Sequence, residues 1–258
     1  MIIGQNKIMN ELNIILPQIK NNNQSVNFLL RAPSGYGKTS LSFIMAQYLS
    51  DKNFNYYIPD KDGNVIIDTS KRVHIVDEVH TCKNQEQFYP LLDENKFIFI
   101  FITNETGQVK EPLINRCINY IFDDYCDKDI NEIVDNILGD YIPIGFNYYH
   151  YFTDYTHVPR IIVKLCQRLI YIFNYYGIPD NDDLFRYIFE DVINIHDGLD
   201  NEQRRYIEFI RKVNTASLDL ISASINIDKD TIKRDIEPGL IYRNLISITS
   251  RGRKYINE

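Results

Sequence analysis

The sequence predicts an α/β domain on a parallel sheet, then a small all-helical segment, then three short helices closing in a β-wing. Three observations predict this. Short unalternated apolar runs, the mark of strands buried on both faces, alternate with helix-period stretches over the first 124 residues or so. From Asp127 to about Ile195 the apolar residues fall at helical spacing: Ile130, Ile133, Val134, Ile137, then Ile161, Val163, Leu165, Leu169, Ile172. After the boundary Gly198-Leu199-Asp200, helical stretches at 201–212, 217–226 and 230–236 lead into an alternating run at 245–250 and the turn Arg251-Gly252-Arg253-Lys254, a winged-helix pattern. The expected domains are 1–124, 125–197 and 198–258.

Within the first domain, Ile8, Leu12, Ile15 and Ile19 make a helix that ends at the polar run 21–25, and 26–30 reads as a buried strand. A glycine-containing turn follows, and Leu41, Ile44, Met45 and Leu49 put a helix over 38–50. Further strands are expected at 55–58, 73–76, 97–102 and 118–122.

At 258 residues, 44% hydrophobic and 24% charged, the chain has the balance of a globular protein rather than a disordered one. No apolar run of spanning length occurs and the N-terminus lacks the pattern of a signal peptide, so we expect a cytosolic protein with no membrane partner. Cys82, Cys117, Cys126 and Cys166 show no C-x-x-C spacing, and the five histidines no metal-ligand spacing; buried thiols are expected rather than zinc or disulfides. The formal charge of −7 argues against a surface that coats nucleic acid throughout, but it is unevenly spread. From Leu199 onward 11 Lys and Arg face 9 Asp and Glu, a modestly basic module on an acidic body.

The sharpest signal is Ala32-Pro33-Ser34-Gly35-Tyr36-Gly37-Lys38-Thr39, which fits the phosphate-binding loop except that Ala32 stands at its first glycine. It joins a strand to a helix, as it must if backbone N–H groups and a helix N-terminus are to cradle phosphate oxygens. Lys38 would then lie over the β- and γ-phosphates and Thr39 would ligate Mg²⁺. The run Val73-His74-Ile75-Val76-Asp77-Glu78 adds an apolar strand ending in two carboxylates, with Asp77 for the Mg²⁺ shell and Glu78 placed to polarise the attacking water. Together the two motifs indicate an ATPase.

On these residues the chain resembles the AAA+ ATPases, and along most of its length the RuvB family of Holliday-junction branch-migration motors. Ile3-Gly4-Gln5 resembles the family's Gly-Gln box beside the adenine pocket, Asp77-Glu78-Val79-His80 its Asp-Glu-x-His signature, and Tyr89-Pro90-Leu91 the helix after it. The resemblance implies an AAA+ three-layer P-loop domain, a helical lid and a winged helix, with ATP and Mg²⁺ as cofactors. The nucleotide-binding residues it implies are Ile3, Gly4, Pro33, Ser34, Gly35, Tyr36, Gly37, Lys38, Thr39, Ser40, Asp77 and Arg160, with Thr39 and Asp77 on the metal. Asn104, after Phe101-Ile102-Thr103, matches the polar sensor at a strand end. Arg116, in Pro112-Leu113-Ile114-Asn115-Arg116-Cys117, matches the arginine finger, and Arg160, in Val158-Pro159-Arg160, the second sensor of the lid. A delocalised, always-charged fork suits both roles, while the lesser alternative for each Arg, on spacing alone, is a surface or salt-bridge residue. A finger working in trans implies a homo-oligomeric ring or spiral. At the C-terminus Arg251, Arg253 and Lys254 are the expected DNA-binding residues, through the phosphate backbone or the minor groove, or else a solvated turn on a protein-binding wing.

Two departures bear on function. The stretch 81–96 leaves no room for the hairpin by which RuvB docks RuvA, which implies a protein partner other than RuvA, and with the sequence opening at the Gly-Gln box we expect the family's upstream segment to be absent. Both make the core look more like a clamp-loader subunit. The leading expectation is ATP-driven remodelling or translocation of duplex or branched DNA; the alternatives are a loader that places a protein partner on DNA and a nucleotide-switched winged-helix regulator. The aromatic runs 146–151 and 171–176 read either as base-stacking surfaces or as helix-packing residues.

Overall fold

Five parallel strands carry the N-terminal half. A computed structural model describes residues 2–104, 106–142, 147–179 and 181–256, and the chain divides into two compact units, Met1–Asp123 and Asp124–Glu258. In the first unit the elements run α1 (Asn6–Asn21), β1 (Phe28–Arg31), α2 (Lys38–Ser50), β2 (Phe54–Tyr57), β3 (Val73–Val76), α3 (Tyr89–Asp93), β4 (Ile98–Thr103), α4 (Glu111–Ile114) and β5 (Ile118–Ile121). The strand order is β2-β3-β4-β1-β5, every pair parallel.

Side-chain alternation on buried strands makes the three layers. Phe28, Leu30, Ile98, Ile100 and Ile102 face the cluster containing Leu12, Ile19, Leu41 and Met45 of α1 and α2. Leu29, Phe99 and Phe101 face the other side with Val79, Phe88 and Leu113. Buried His74 stacks on Phe99 at 4.8 Å, and burial pushes its imidazole below the usual histidine range. Between β3 and β4 the chain makes two short 3-10 turns and α3.

The second unit contains α5 (Asp127–Leu138), α6 (His150–Thr153), α7 (Pro159–Tyr176), α8 (Asp182–Tyr187), α9 (Asn201–Val213), β6 (Thr215–Ala216), α10 (Leu218–Ile225), α11 (Lys229–Thr231), α12 (Glu237–Tyr242), β7 (Ile246–Thr249) and β8 (Gly252–Tyr255). The third helix of the wing is longer than the sequence pattern suggested. It runs from α11 through a π-helical stretch, Ile232–Ile236, into α12, where Pro238 sits in the first turn and contributes no N–H. Strands β6, β8 and β7 form the antiparallel wing sheet.

The lid and wing helices, expected as separate domains about residue 197, pack within this one unit. Tyr155 donates to Asp200 Oδ2 at 3.0 Å, Arg243 to the Asp197 carbonyl at 2.8 Å, and the His157 and Tyr242 rings stack at 3.6 Å. Gly198 takes φ 67°, and a Cβ there would meet the Asp154 carbonyl oxygen at 2.4 Å, so only glycine closes this junction.

The aromatic runs divide. Phe146 lies outside the described residues. Tyr148 and Tyr151 are packing residues, their rings 5.9 and 5.0 Å from Phe185, whereas Tyr171 and Tyr175 are 76% and 83% exposed. The thiols divide as well: all four are free, Cys82 and Cys166 buried and Cys117 partly so. Cys126 corrects the expectation of buried thiols, because it is the exposed N-cap of α5, its Sγ donating to Asp129 Oδ2 at 3.2 Å. Burial pushes the Cys117 and Cys166 thiols up to about 12.

Candidate active site

From β1 the chain turns through Gly35, φ 91°, and Gly37, φ 88°, into α2. Both angles lie where a Cβ would clash with backbone carbonyl oxygen, so glycine is required at these two positions. The turn sets the first N–H groups of α2 beside the C-terminal edge of the sheet. Buried Lys38 donates from Nζ to the carbonyls of Ala32 and Pro33 at 2.7 and 2.8 Å, which holds the ammonium inside the loop. Ser34, Tyr36 and Thr39 are half-buried around it, and Pro33 and Ser40 are exposed at its rim.

Asp77 follows β3 and is 6% exposed. Thr39 Oγ1 and the Tyr56 hydroxyl both donate to its Oδ2 at 2.9 Å, and the Glu78 backbone N–H donates to Oδ1 at 2.9 Å. Loop hydroxyl and strand carboxylate, 38 residues apart in the chain, are thus in direct contact. Burial, then the hydrogen bond and charge of Asp77, push the Tyr56 phenol well above its usual range.

Glu78 has φ 53°, a left-handed conformation that costs a residue with a side chain about 1–2 kcal/mol. Neighbours hold it there. His80 Nε2 lies 3.3 Å from Glu78 Oε2, and His80 Nδ1 lies 3.1 Å from Thr103 Oγ1. One neutral tautomer satisfies both contacts, with Nε2–H donating to Glu78 and Nδ1 accepting the Thr103 hydroxyl. Thr103 ends β4, and exposed Asn104 is the next residue. Because β4 lies between β1 and β3, the loop, the Thr103-Asn104 corner and the Asp77-Glu78 pair end on the same sheet edge in consecutive strands.

The expected Gly-Gln box has a structural role at its third residue: the Gln5 amide donates to the Asp123 carbonyl at 2.9 Å and accepts from the Asp123 N–H at 3.0 Å. Ile3 is half-buried, and Gly4 takes φ 77°. Arg116 stands apart from the loop. Its Nε and Nη2 bond the two carboxylate oxygens of Asp93 at 2.9 and 3.1 Å, and its guanidinium lies 5.0 Å from the Tyr89 ring centre. The salt-bridge reading of this residue therefore describes the isolated chain, in a bidentate and stacked geometry.

In the second unit Arg160 is exposed in the first turn of α7, after Pro159. On the wing, Arg251 and Lys254 are exposed, whereas Arg253 is half-buried and already paired within the chain. Its Nε and Nη2 bond Glu237 Oε1 and Oε2 at 2.7 and 3.2 Å, and the buried Tyr206 hydroxyl donates to the same Oε1 at 2.9 Å. Pairing with a carboxylate that is 2% exposed turns this Arg inward.

Sequence reasoning missed Tyr56, Thr103, Asp93 and Glu237. Only Thr103 carried a usable signal, as a polar residue closing an apolar run beside the sensor position. Among the described residues no group of three or more His, Cys, Asp or Glu side chains is arranged to hold a metal ion by itself. The fit for Mg²⁺ is instead that of one hydroxyl and one carboxylate already joined at the loop, a donor set completed by phosphate oxygens and water. No helix among the described residues is long and apolar enough to cross a membrane.

The RuvB C-terminal winged helix domain family matches residues 196–257. The Holliday junction branch migration complex subunits RuvB of Mycoplasma genitalium and Mycoplasmopsis pulmonis are 26% and 27% identical to this chain, over 99% and 98% of it and 93% and 91% of their own lengths. The Thermotoga maritima RuvB Holliday junction branch migration motor superposes with a TM-score of 0.81 at 24% identity, covering 99% of this chain and 93% of that one. The replication initiator DnaA, bound to AMPPCP and single-stranded DNA, superposes with a TM-score of 0.55 at 18% identity, covering 90% and 88%. In sequence and in fold the chain is RuvB-like along nearly its whole length, with a C-terminal domain of the RuvB winged helix type.

Proposed function

We propose that this chain is a cytoplasmic ATP hydrolase of the RuvB type, acting on duplex or branched DNA. One observation carries the reading: phosphate loop, Asp77-Glu78 pair and Thr103-Asn104 corner share one sheet edge, in a chain that also bears a RuvB-type winged helix. The loop N–H groups and Lys38 bind the phosphates, and Thr39 with Asp77 would hold Mg²⁺, which supplies charge neutralisation there. Glu78 orients the attacking water for in-line displacement, itself aimed by His80 and Thr103. Asn104 is the candidate sensor of the γ-phosphate. Arg116, presented by Asp93 and Tyr89, is the candidate finger for a neighbouring subunit's nucleotide in a homo-oligomer, and Arg160 the candidate lid sensor.

The test is the steady-state ATPase rate with no DNA, linear duplex, a four-way junction and a primer-template, with Lys38→Ala as blank. Stimulation by junction or duplex without added protein is expected; a rate that no DNA raises above basal turnover overturns the autonomous motor. A loader that needs a protein partner is the second reading, favoured by the strandless connection between β3 and β4; stimulation that requires both partner and primer-template would establish it. DNA contact is tested separately. Arg251→Ala and Lys254→Ala should each weaken duplex binding regardless of sequence and lower the slope of log affinity against log salt by about 1.

A further inference from the structure

Tyr56 lies outside every motif, yet it touches the residue on which the metal site depends. It is on β2, at the edge of the sheet, and its backbone neighbour across β3 is Ile75, two positions before Asp77. Its ring packs against Phe43 of α2 with centroids 5.1 Å apart, and its hydroxyl donates to Asp77 Oδ2 at 2.9 Å. Phe43 belongs to the helix that the phosphate loop opens. One aromatic ring therefore braces that helix on one side and the carboxylate on the other.

Three donors pin the Asp77 carboxylate: the Thr39 and Tyr56 hydroxyls on Oδ2 and the Glu78 N–H on Oδ1. With only Thr39 and the adjacent N–H, each oxygen would have a single donor and the Cβ–Cγ torsion, a broad one, would be held less tightly. The Tyr56 bond fills the second lone pair of Oδ2 and stiffens that torsion before any cation arrives, leaving one lone pair, on Oδ1, for a hydrated cation. Thr39 can donate its proton to Asp77 and present its oxygen to the cation at once, so the Tyr56 bond does not compete with it.

We propose that Tyr56 is a positioning residue for Mg²⁺, acting through Asp77 to raise the affinity of the phosphate loop for the cation in the nucleotide complex. The inference rests on the ATPase reading above. The substitution Tyr56→Phe removes the hydroxyl and keeps the ring on Phe43.

The experiment titrates Mg²⁺ into full-length protein holding a fluorescent ATP analogue, beginning in EDTA, and reads nucleotide affinity rather than turnover. Wild type, Tyr56→Phe, Tyr56→Ala and Lys38→Ala are compared, with thermal melts of each. The expected result is that Tyr56→Phe binds nucleotide as wild type does in EDTA and melts close to it, but needs roughly three- to tenfold more Mg²⁺ for the half-maximal gain in affinity, the size of one lost hydrogen bond. In hydrolysis the same variant should approach the wild-type rate once Mg²⁺ saturates. A Tyr56→Phe titration that overlays or lies below that of wild type overturns the proposal, and so does an affinity loss equal in EDTA and in Mg²⁺, which is the mark of a packing role. If wild type itself gains no nucleotide affinity from Mg²⁺, or Lys38→Ala binds as wild type does, the ATPase reading falls first.

Discussion

Glu78→Gln is expected to bind ATP and assemble as wild type does while hydrolysing it 10²- to 10⁴-fold more slowly, about the contribution of a positioned general base. The amide preserves the size of the side chain but cannot accept a proton from water. It also breaks the local pairing: the Oε2 that lies 3.3 Å from His80 Nε2 becomes in half of the amide orientations an NH₂ group, which faces another donor. Binding should survive because the loop, Lys38 and the Thr39–Asp77 bond are untouched. Two readouts are needed, equilibrium nucleotide binding and phosphate release. Undiminished turnover removes Glu78 from the mechanism, and loss of binding in step with turnover assigns it a structural part instead.

Glu237→Ala should cost about 3–5 kcal/mol of stability, the usual result of breaking a buried ion pair from one side. Its carboxylate serves Tyr206 on Oε1 and Arg253 on both oxygens, and its side chain is only 3% exposed against 15% for Arg253. Removing it strands a guanidinium and a phenol hydroxyl. Arg253→Ala strands a carboxylate and should cost a comparable amount. Replacing both by apolar residues of similar volume should recover most of the loss. Denaturant unfolding of the two single variants and the double one checks this: losses that simply add mean that the pair is not coupled.

The same pair shows how far sequence reasoning reaches. The placing of Lys38 and Thr39 at a helix start and of Asp77 and Glu78 at a strand end was legible because each pair lies in a short motif at the end of an apolar run. The parallel sheet was legible in runs such as Ile98–Thr103, buried throughout. The Glu237 partner of Arg253 was missed because an Arg in a polar turn beside Arg251 and Lys254 looks solvated, and nothing local announces a carboxylate 16 residues upstream in a helix. Tyr56 and Asp93 escaped for the same reason: their partners come from other elements, and register across a sheet or along a helix end is settled only on folding. The third wing helix was expected to end at Ile236. The chain instead widens its helical turn there and continues.

The joint between lid and wing helices sets the mechanics of the second unit. A glycine without room for a Cβ, a stacked His157–Tyr242 pair and the Tyr155–Asp200 bond tie residues 154–157 to Gly198, Asp200 and Tyr242. A joint packed this closely transmits torque better than a loose linker does. In the proposed motor, rotation of the Arg160 helix would be passed to the wing through these contacts.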